Sequence, residues 1–209
     1  MYIIIEGPDY SGKSTLVEGL AKRLRDDGYE VETVREPGGT PLAEELRARV
    51  LRGETEGSPD CELFLFLAAR ADLFTRRVLP ALEAGKIVIG DRGGPSTYAY
   101  QCKDDVSRDL FKRYKRIAMP MNPLYIFLEI SYDEYERRKK LRASGTDALE
   151  ARYDTRAKFE SLMTAYRQAR DMEPRVVTSI VDGITPEKLV DDLYPFVLNV
   201  VHQRKHNEN

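Results

Sequence analysis

Gly7-Pro8-Asp9-Tyr10-Ser11-Gly12-Lys13-Ser14-Thr15 spaces two glycines around four residues and follows the second with a lysine and two hydroxyls. Glycine lets a backbone curl until successive N–H groups point inward and form a nest for an anion. A helix starting at the second glycine adds the partial positive charge of its N-terminus. In that setting Lys13 can reach the outer phosphates of a nucleoside triphosphate such as ATP, and the Ser14 hydroxyl can ligate Mg²⁺. Gly7, Pro8, Asp9, Tyr10, Ser11, Gly12, Lys13, Ser14 and Thr15 are therefore the candidate ATP-binding residues. A chance glycine turn carrying Lys-Ser would lack the right neighbours. Here the apolar run Tyr2–Glu6 precedes the loop, and Leu16, Leu20 and Leu24 follow it at helical spacing. Asp91 ends another apolar run, as a metal-binding carboxylate would, or as a turn former does. Asp91-Arg92-Gly93-Gly94 also fits the D-x-x-G pattern of GTP-switch proteins, but the N-K-x-D guanine reader of such proteins is missing.

The rest of the candidate chemistry is cationic and aromatic. Arg35, Arg47 and Arg92 follow strand ends or lie on adjoining helices, where open α/β sheets bind ligands, and guanidinium forks suit phosphate oxygens. The competing reading is salt bridging with nearby glutamates, above all for Arg35. Phe66 and Arg70 share a helix face and could stack a base and bond its edge. Taken alone, the pair fits a core phenylalanine and a surface ion pair better. Arg137, Arg138, Lys139, Lys140 and Arg142 form a basic run before Ser144-Gly145, either a hinged lid or a solvated helix face. His202 and His206 are the only histidines, and both lie in the polar terminal run HQRKHNEN. Their spacing could hold a metal, but a solvated tail is the simpler reading. A mechanism needing a buried histidine base is thereby excluded. An acceptor phosphate, with a second pKa of about 6, needs no such base. It needs cations that bring two polyanions into line.

These residues need a scaffold, and the chain supplies a pattern for one. Strand-like runs at Tyr2–Glu6, 29–34, 87–90, 124–130 and 176–181 alternate with helical patterns at 12–27, 40–51, 60–84, from about Ser96, and 134–169. That alternation predicts an α/β fold, a parallel five-stranded sheet with helices on both faces. The 60–84 pattern contains Pro80, a candidate bend. With 209 residues and no repeat or low-complexity linker, the expectation is one domain spanning 1–209. Apolar residues make up 42% and charged residues 33%, as in globular proteins, and the net charge of -2 argues against a nucleic-acid surface. No run is long enough to cross a membrane, and the N-terminus does not read as a signal peptide. Cys61 and Cys102, without metal-like spacing, suggest reduced thiols and a cytoplasmic setting.

Three further segments, in order, resemble the thymidylate kinase family. Arg35-Glu36-Pro37-Gly38-Gly39-Thr40 is similar to its REPGGT signature. Glu62 to Ala71 (ELFLFLAARA) is similar to its E-L-x-L-F-x-A-x-R-A helix, and Asp91-Arg92 with Ser96-Thr97-Tyr98-Ala99-Tyr100-Gln101 to its DR-x-x-x-S-x-x-A-Y-Q segment. The resemblance covers the first half of the chain closely and the second mainly in pattern. It implies transfer of the ATP γ-phosphoryl to dTMP, with Mg²⁺, by a homodimer with a helical lid at about 137–156. A kinase for a 5-substituted dUMP, or a non-catalytic nucleotide-binding protein, are the alternatives. Under the resemblance Phe66 stacks the thymine, Arg70 meets its exocyclic oxygen, and Thr97 and Gln101 read its edge. Tyr100 crowds the sugar's 2′ position, and Arg47 and Arg92 hold the acceptor phosphate. Asp9, Glu36 and Pro37 complete the acceptor set, with Glu36-Pro37 a candidate cis peptide. Lys13, Asp9, Arg92 and Arg142 form the catalytic set, and Ser14 and Asp91 the metal set. The phosphate loop carries no arginine, so the resemblance is to members that supply one from the lid, with Arg142 or Arg152 in that role. The family usually has glycine at Tyr10 and a large side chain at Gly93. This substitution predicts a roomier acceptor pocket, refilled by Tyr10 if its ring swings in.

Overall fold

Tyr2–Glu6 forms β1, and all of it is buried, with Ile3, Ile4 and Ile5 at 0% exposure. A strand covered on both faces has no reason to alternate polar and apolar residues, hence the unbroken apolar run up to Glu6. In this computed structural model the described residues are 1–118, 121–141, 153 and 155–207, the side chains of 116–118 and 204–207 excepted. The other strands are β2 (Val31–Arg35), β3 (Ile87–Asp91), β4 (Leu124–Glu129) and β5 (Val176–Ile180). All pair in parallel, in the order β2-β3-β1-β4-β5. The helices are α1 (Lys13–Asp26), α2 (Pro41–Leu51), α3 (Pro59–Leu73), α4 (Leu79–Glu83), α5 (Gly94–Gln101), α6 (Asp105–Ala118), α7 (Tyr132–Leu141), α8 (Arg156–Asp171) and α9 (Pro186–Asn207). The expected five-stranded α/β sheet flanked by helices is what the chain forms.

Because β3 lies between β2 and β1, the connections from β1 and β3 diverge, and a crevice opens at their carboxyl ends. Register fixes what meets there: Asp91 pairs with Ile5 on one side and Arg35 on the other. The loop after β1 thus sits beside the ends of β2 and β3. Leu16, Leu20 and Leu24 of α1 are 0–1% exposed and hold that helix on the sheet. A Cβ on Gly19 would lie 2.5 Å from Val190 Cγ2, so glycine there lets α9 pack close against α1.

Several boundaries differ from the sequence reading for local reasons. The second strand begins at Val31, not Tyr29, because the Gly28 (φ 86°) and Tyr29 amides close α1 by bonding Arg25 O and Leu24 O at 3.0 and 2.9 Å. The expected bend at Pro80 is a π-helical turn at Phe74–Val78 between α3 and α4. Proline lacks an N–H and crowds the carbonyl four residues back, and a wider turn relieves both. Two helices, α6 and α9, were not anticipated. Asp104 and Ser107 cap α6 reciprocally, with Ser107 N to Asp104 Oδ1 at 2.8 Å and Asp104 N to Ser107 Oγ at 3.2 Å. The terminal run is helical to Asn207, and His202 on α9 is exposed, as a solvated run would be. Of the expected lid, Arg142, the Ser144-Gly145 hinge and Arg152 lie outside the described residues.

Candidate active site

The phosphate loop adopts the backbone its glycines permit. Gly7 has φ 146° and Gly12 φ 97°, and a Cβ on Gly7 would lie 2.6 Å from Leu128 O. α1 starts directly at Lys13, so its unpaired N–H groups face the loop. Lys13 is buried and its Nζ donates to Pro8 O at 2.6 Å. Burial, then the neighbouring Arg92 charge, bring the Lys13 ammonium down to about 8 against the pull of Asp9, Asp91 and Glu6. Such a lysine is poised to gain an anionic partner. Ser14 Oγ donates to Asp91 Oδ2 at 2.6 Å. A hydroxyl and a carboxylate oxygen side by side are the hard donors that a divalent cation such as Mg²⁺ takes, with phosphate and water completing its shell. The residues fit the ion.

Asp9, Glu36, Pro37, Arg47, Phe66, Arg70, Arg92, Thr97, Tyr100 and Gln101 all line one pocket, together with Gly93 and Ser96. They arrive from the loop, the β2 end, α2, α3, the β3 end and α5, so only the fold unites them. The Glu36-Pro37 peptide is cis. Arg70 is 4% exposed; its Nε donates to Glu36 Oε2 at 2.5 Å and its Nη2 to Thr97 Oγ1 at 2.7 Å. Arg70 is therefore no surface ion pair. Its buried Nη1 finds no partner among the described residues, a donor in reserve for a ligand acceptor. Gln101 turns its Nε2 to Glu62 Oε1 at 3.2 Å. A second, polar cleft is lined by Asp9, Tyr10, Gly12, Lys13, Ser14, Thr15, Arg35, Glu36, Arg47, Asp91, Arg92 and Arg138. The two clefts share Asp9, Glu36, Arg47 and Arg92.

At that junction Arg92 is ion-paired to Asp9, bonds Gly7 O at 3.1 Å, and lies 5.3 Å from the Tyr100 ring centroid. Tyr100 OH donates to Asp9 Oδ2 at 3.2 Å. Burial pushes the Asp9 carboxyl up, but the Arg92 and Lys13 charges and its hydrogen bonds outweigh this and hold it below its usual range. Two residues that sequence reasoning did not single out belong here. Glu6, fully buried, accepts from Ser96 N at 3.2 Å and Ser96 Oγ at 2.6 Å. Burial raises its carboxyl to about 7 despite Ser96 and Arg92. Tyr166 OH, also buried, accepts from Arg92 at 2.9 Å and donates to Gly7 O at 3.0 Å. A carboxylate ending an otherwise apolar strand was the available signal for Glu6; Tyr166 had none.

Other expectations change. Arg35 pairs with Glu44 at 2.9 Å, the salt-bridge alternative, although it also borders the polar cleft. The arginines of the basic run divide: Arg137 is exposed and bound to Glu134 at 2.6 Å, while Arg138 reaches Tyr10 O and Ser11 O at 3.2 Å. Extra room does not follow from the missing side chain at Gly93, although Gly93 lines the acceptor pocket. A Cβ on Gly93 would point at Ile4 Cγ2 (3.0 Å) and Glu6 Oε1 (3.5 Å), into the core. Tyr10 does not refill the pocket either, since its ring packs edge-on against Tyr135 of α7 at 5.4 Å.

The chain is similar to known proteins over most of its length. The family model described as thymidylate kinase matches residues 5–182. A thymidylate kinase of Gluconobacter oxydans is 35% identical over 208 residues, covering 97% of this chain and 94% of the relative. One from Chlamydia caviae is 43% identical, covering 69% and 72%, and one from Chlamydia felis is 50% identical over a stretch that spans 54% of each chain. The crystal structure of thymidylate kinase from Ehrlichia chaffeensis superimposes with a TM-score of 0.71 at 25% identity, covering 96% of this chain and 98% of that one. The chain belongs to the thymidylate kinase family, nucleoside-monophosphate kinases that make dTDP from dTMP and ATP.

Proposed function

We propose that this chain, acting as one kinase domain, transfers the γ-phosphoryl of ATP to dTMP and assigns the two substrates to the two clefts. The observation that carries the assignment is their shared wall of Asp9, Glu36, Arg47 and Arg92, which brings an acceptor phosphate next to the phosphate loop. An acceptor phosphate oxygen bonds the γ-phosphorus as the bridging P–O bond breaks, and the electron pair leaves with ADP. Lys13, Arg92 and the loop N–H groups offset the negative charge gathered there. Asp9 holds the Arg92 fork toward the junction. Ser14 and Asp91 would hold Mg²⁺, which would supply charge neutralisation for the ATP phosphates. Phe66 and Tyr100 flank the nucleoside, and Arg70 Nη1 offers its proton to a base oxygen. The resemblance to the family supports a homodimer, and the free thiols Cys61 and Cys102 support a cytoplasmic setting; no helix among the described residues is long and apolar enough to cross a membrane.

A coupled ADP-release assay across nucleoside monophosphates, including dTMP, dUMP and 5-hydroxymethyl-dUMP, tests the reading, with dTMP expected to give the highest kcat/KM. Lys13→Ala should lower kcat by roughly 100-fold or more, the scale of removing one charge-stabilising donor, with the melting curve as a folding control. Transfer that survives the lysine's removal would place the donor elsewhere.

A further inference from the structure

Tyr10 stands in the phosphate loop at φ 63°, a left-handed backbone that glycine adopts freely and a bulky side chain does not. Such a conformation persists where its surroundings hold it. Here they are two contacts to α7. The Tyr10 ring meets Tyr135 edge-on at 5.4 Å and 79°, and Tyr135, 2% exposed, is wedged 4.7 Å from Phe159 of α8. From the same helix Arg138 Nη1 donates to Tyr10 O and Ser11 O at 3.2 Å. Arg138 is also anchored by Glu134 at 2.7 Å and by Val181 O and Ile184 O at 2.5 and 3.2 Å, so it ties the loop after β5 to the phosphate loop. Its guanidinium borders the phosphate cleft. We propose that Tyr10 is a positioning residue: its ring docks α7 on the phosphate loop and so sets where Arg138 presents its charge. The ring, rather than the phenolic hydroxyl, is the working part.

The inference rests on the kinase reading, and the experiment separates the two. Tyr10→Gly fits the backbone and removes the ring. It should lower kcat roughly 10-fold, the order expected for a misplaced charged group, while KM for dTMP stays within about two-fold. In the protein without nucleotide, hydrogen exchange across Tyr132–Leu141 should quicken. Tyr10→Phe should recover most of the lost kcat and slow exchange again. Wild-type kcat and exchange in Tyr10→Gly would overturn the proposal. So would lost turnover with unchanged exchange, which would mean that the ring acts at the phosphates directly. Failure of the phenylalanine to rescue would assign the effect to the hydroxyl and overturn it too. If the wild type does not phosphorylate dTMP, the kinase reading fails, while the exchange comparison still decides whether Tyr10 docks α7.

Discussion

At the scale of single residues, the site is built from buried charges that satisfy one another. Arg70 and Glu36 are 4% and 7% exposed and bond at 2.5 Å. Removing one partner strands the other, so Arg70→Ala should cost about 3–5 kcal/mol of stability. It should also weaken dTMP by about 1.5–3 kcal/mol through the lost charged donor, with ATP nearly unaffected. Arg70→Ala with Glu36→Gln should restore much of the stability, and calorimetric titration of the single Arg70→Ala variant with each nucleotide reads the recognition loss. Equal weakening of both ligands would put Arg70 in the scaffold only. Glu6 gives a pH signature. Burial raises its folded pKa to about 7 from 4.5, so the native state holds a proton that the unfolded chain releases. Stability therefore falls as pH rises through that window, by roughly 3 kcal/mol in all. Glu6→Gln cannot ionise, and its melting temperature should change less between pH 5 and 7 than the wild type's. An unchanged slope would assign the dependence to other groups.

At the scale of elements, helix geometry sorts residues that sequence presents as a block. Arg137 and Arg138 are neighbours in a basic run, yet on α7 one faces solvent and the other the phosphate loop. Arg137→Ala should change kcat by less than about two-fold, as surface substitutions do. Arg138→Ala should lower it roughly 10-fold or more, because its charge borders the phosphate cleft. Steady-state kinetics on the two variants checks this, and equal effects would refute the division. The same logic explains which elements were legible. β1, α1 and β3 announce themselves because burial on both faces, or a leucine stripe, leaves little ambiguity in period. α6 and α9 carry a helical period too, Leu110, Phe111 and Tyr114 in one and Leu189, Leu193 and Val197 in the other, with charges on the opposite faces.

At the scale of the molecule, the strand order does what no local pattern specifies. It puts the β1 loop, the β2 end and the β3 end at one crevice, so a ligand there stabilises the whole sheet rather than one loop. dTMP at about 100 times its Kd should raise stability by about 2.7 kcal/mol, a melting shift of roughly 5–10 °C for a chain of this size. Differential scanning calorimetry with and without nucleotide measures it; no shift with dTMP would contradict the acceptor pocket.

The phosphate loop was readable from Gly7 to Thr15 because its chemistry is contiguous: glycine freedom, a lysine and a hydroxyl must follow each other for the nest to form. The arginines and Phe66 were recognisable as a set through their spacing within signatures, but not as a pocket, since they come from separate segments of the chain. Tertiary structure alone decided that Arg70 is a buried partner of Glu36, that Tyr166 braces Arg92 while Glu6 takes Ser96, and that a Cβ at Gly93 would meet Ile4 of β1. It also turned Tyr10 toward Tyr135 and away from the acceptor. Sequence order records what a side chain can do. The direction it points, and the charge it meets, depend on strands paired across 80 and more residues, as Ile5 is with Asp91.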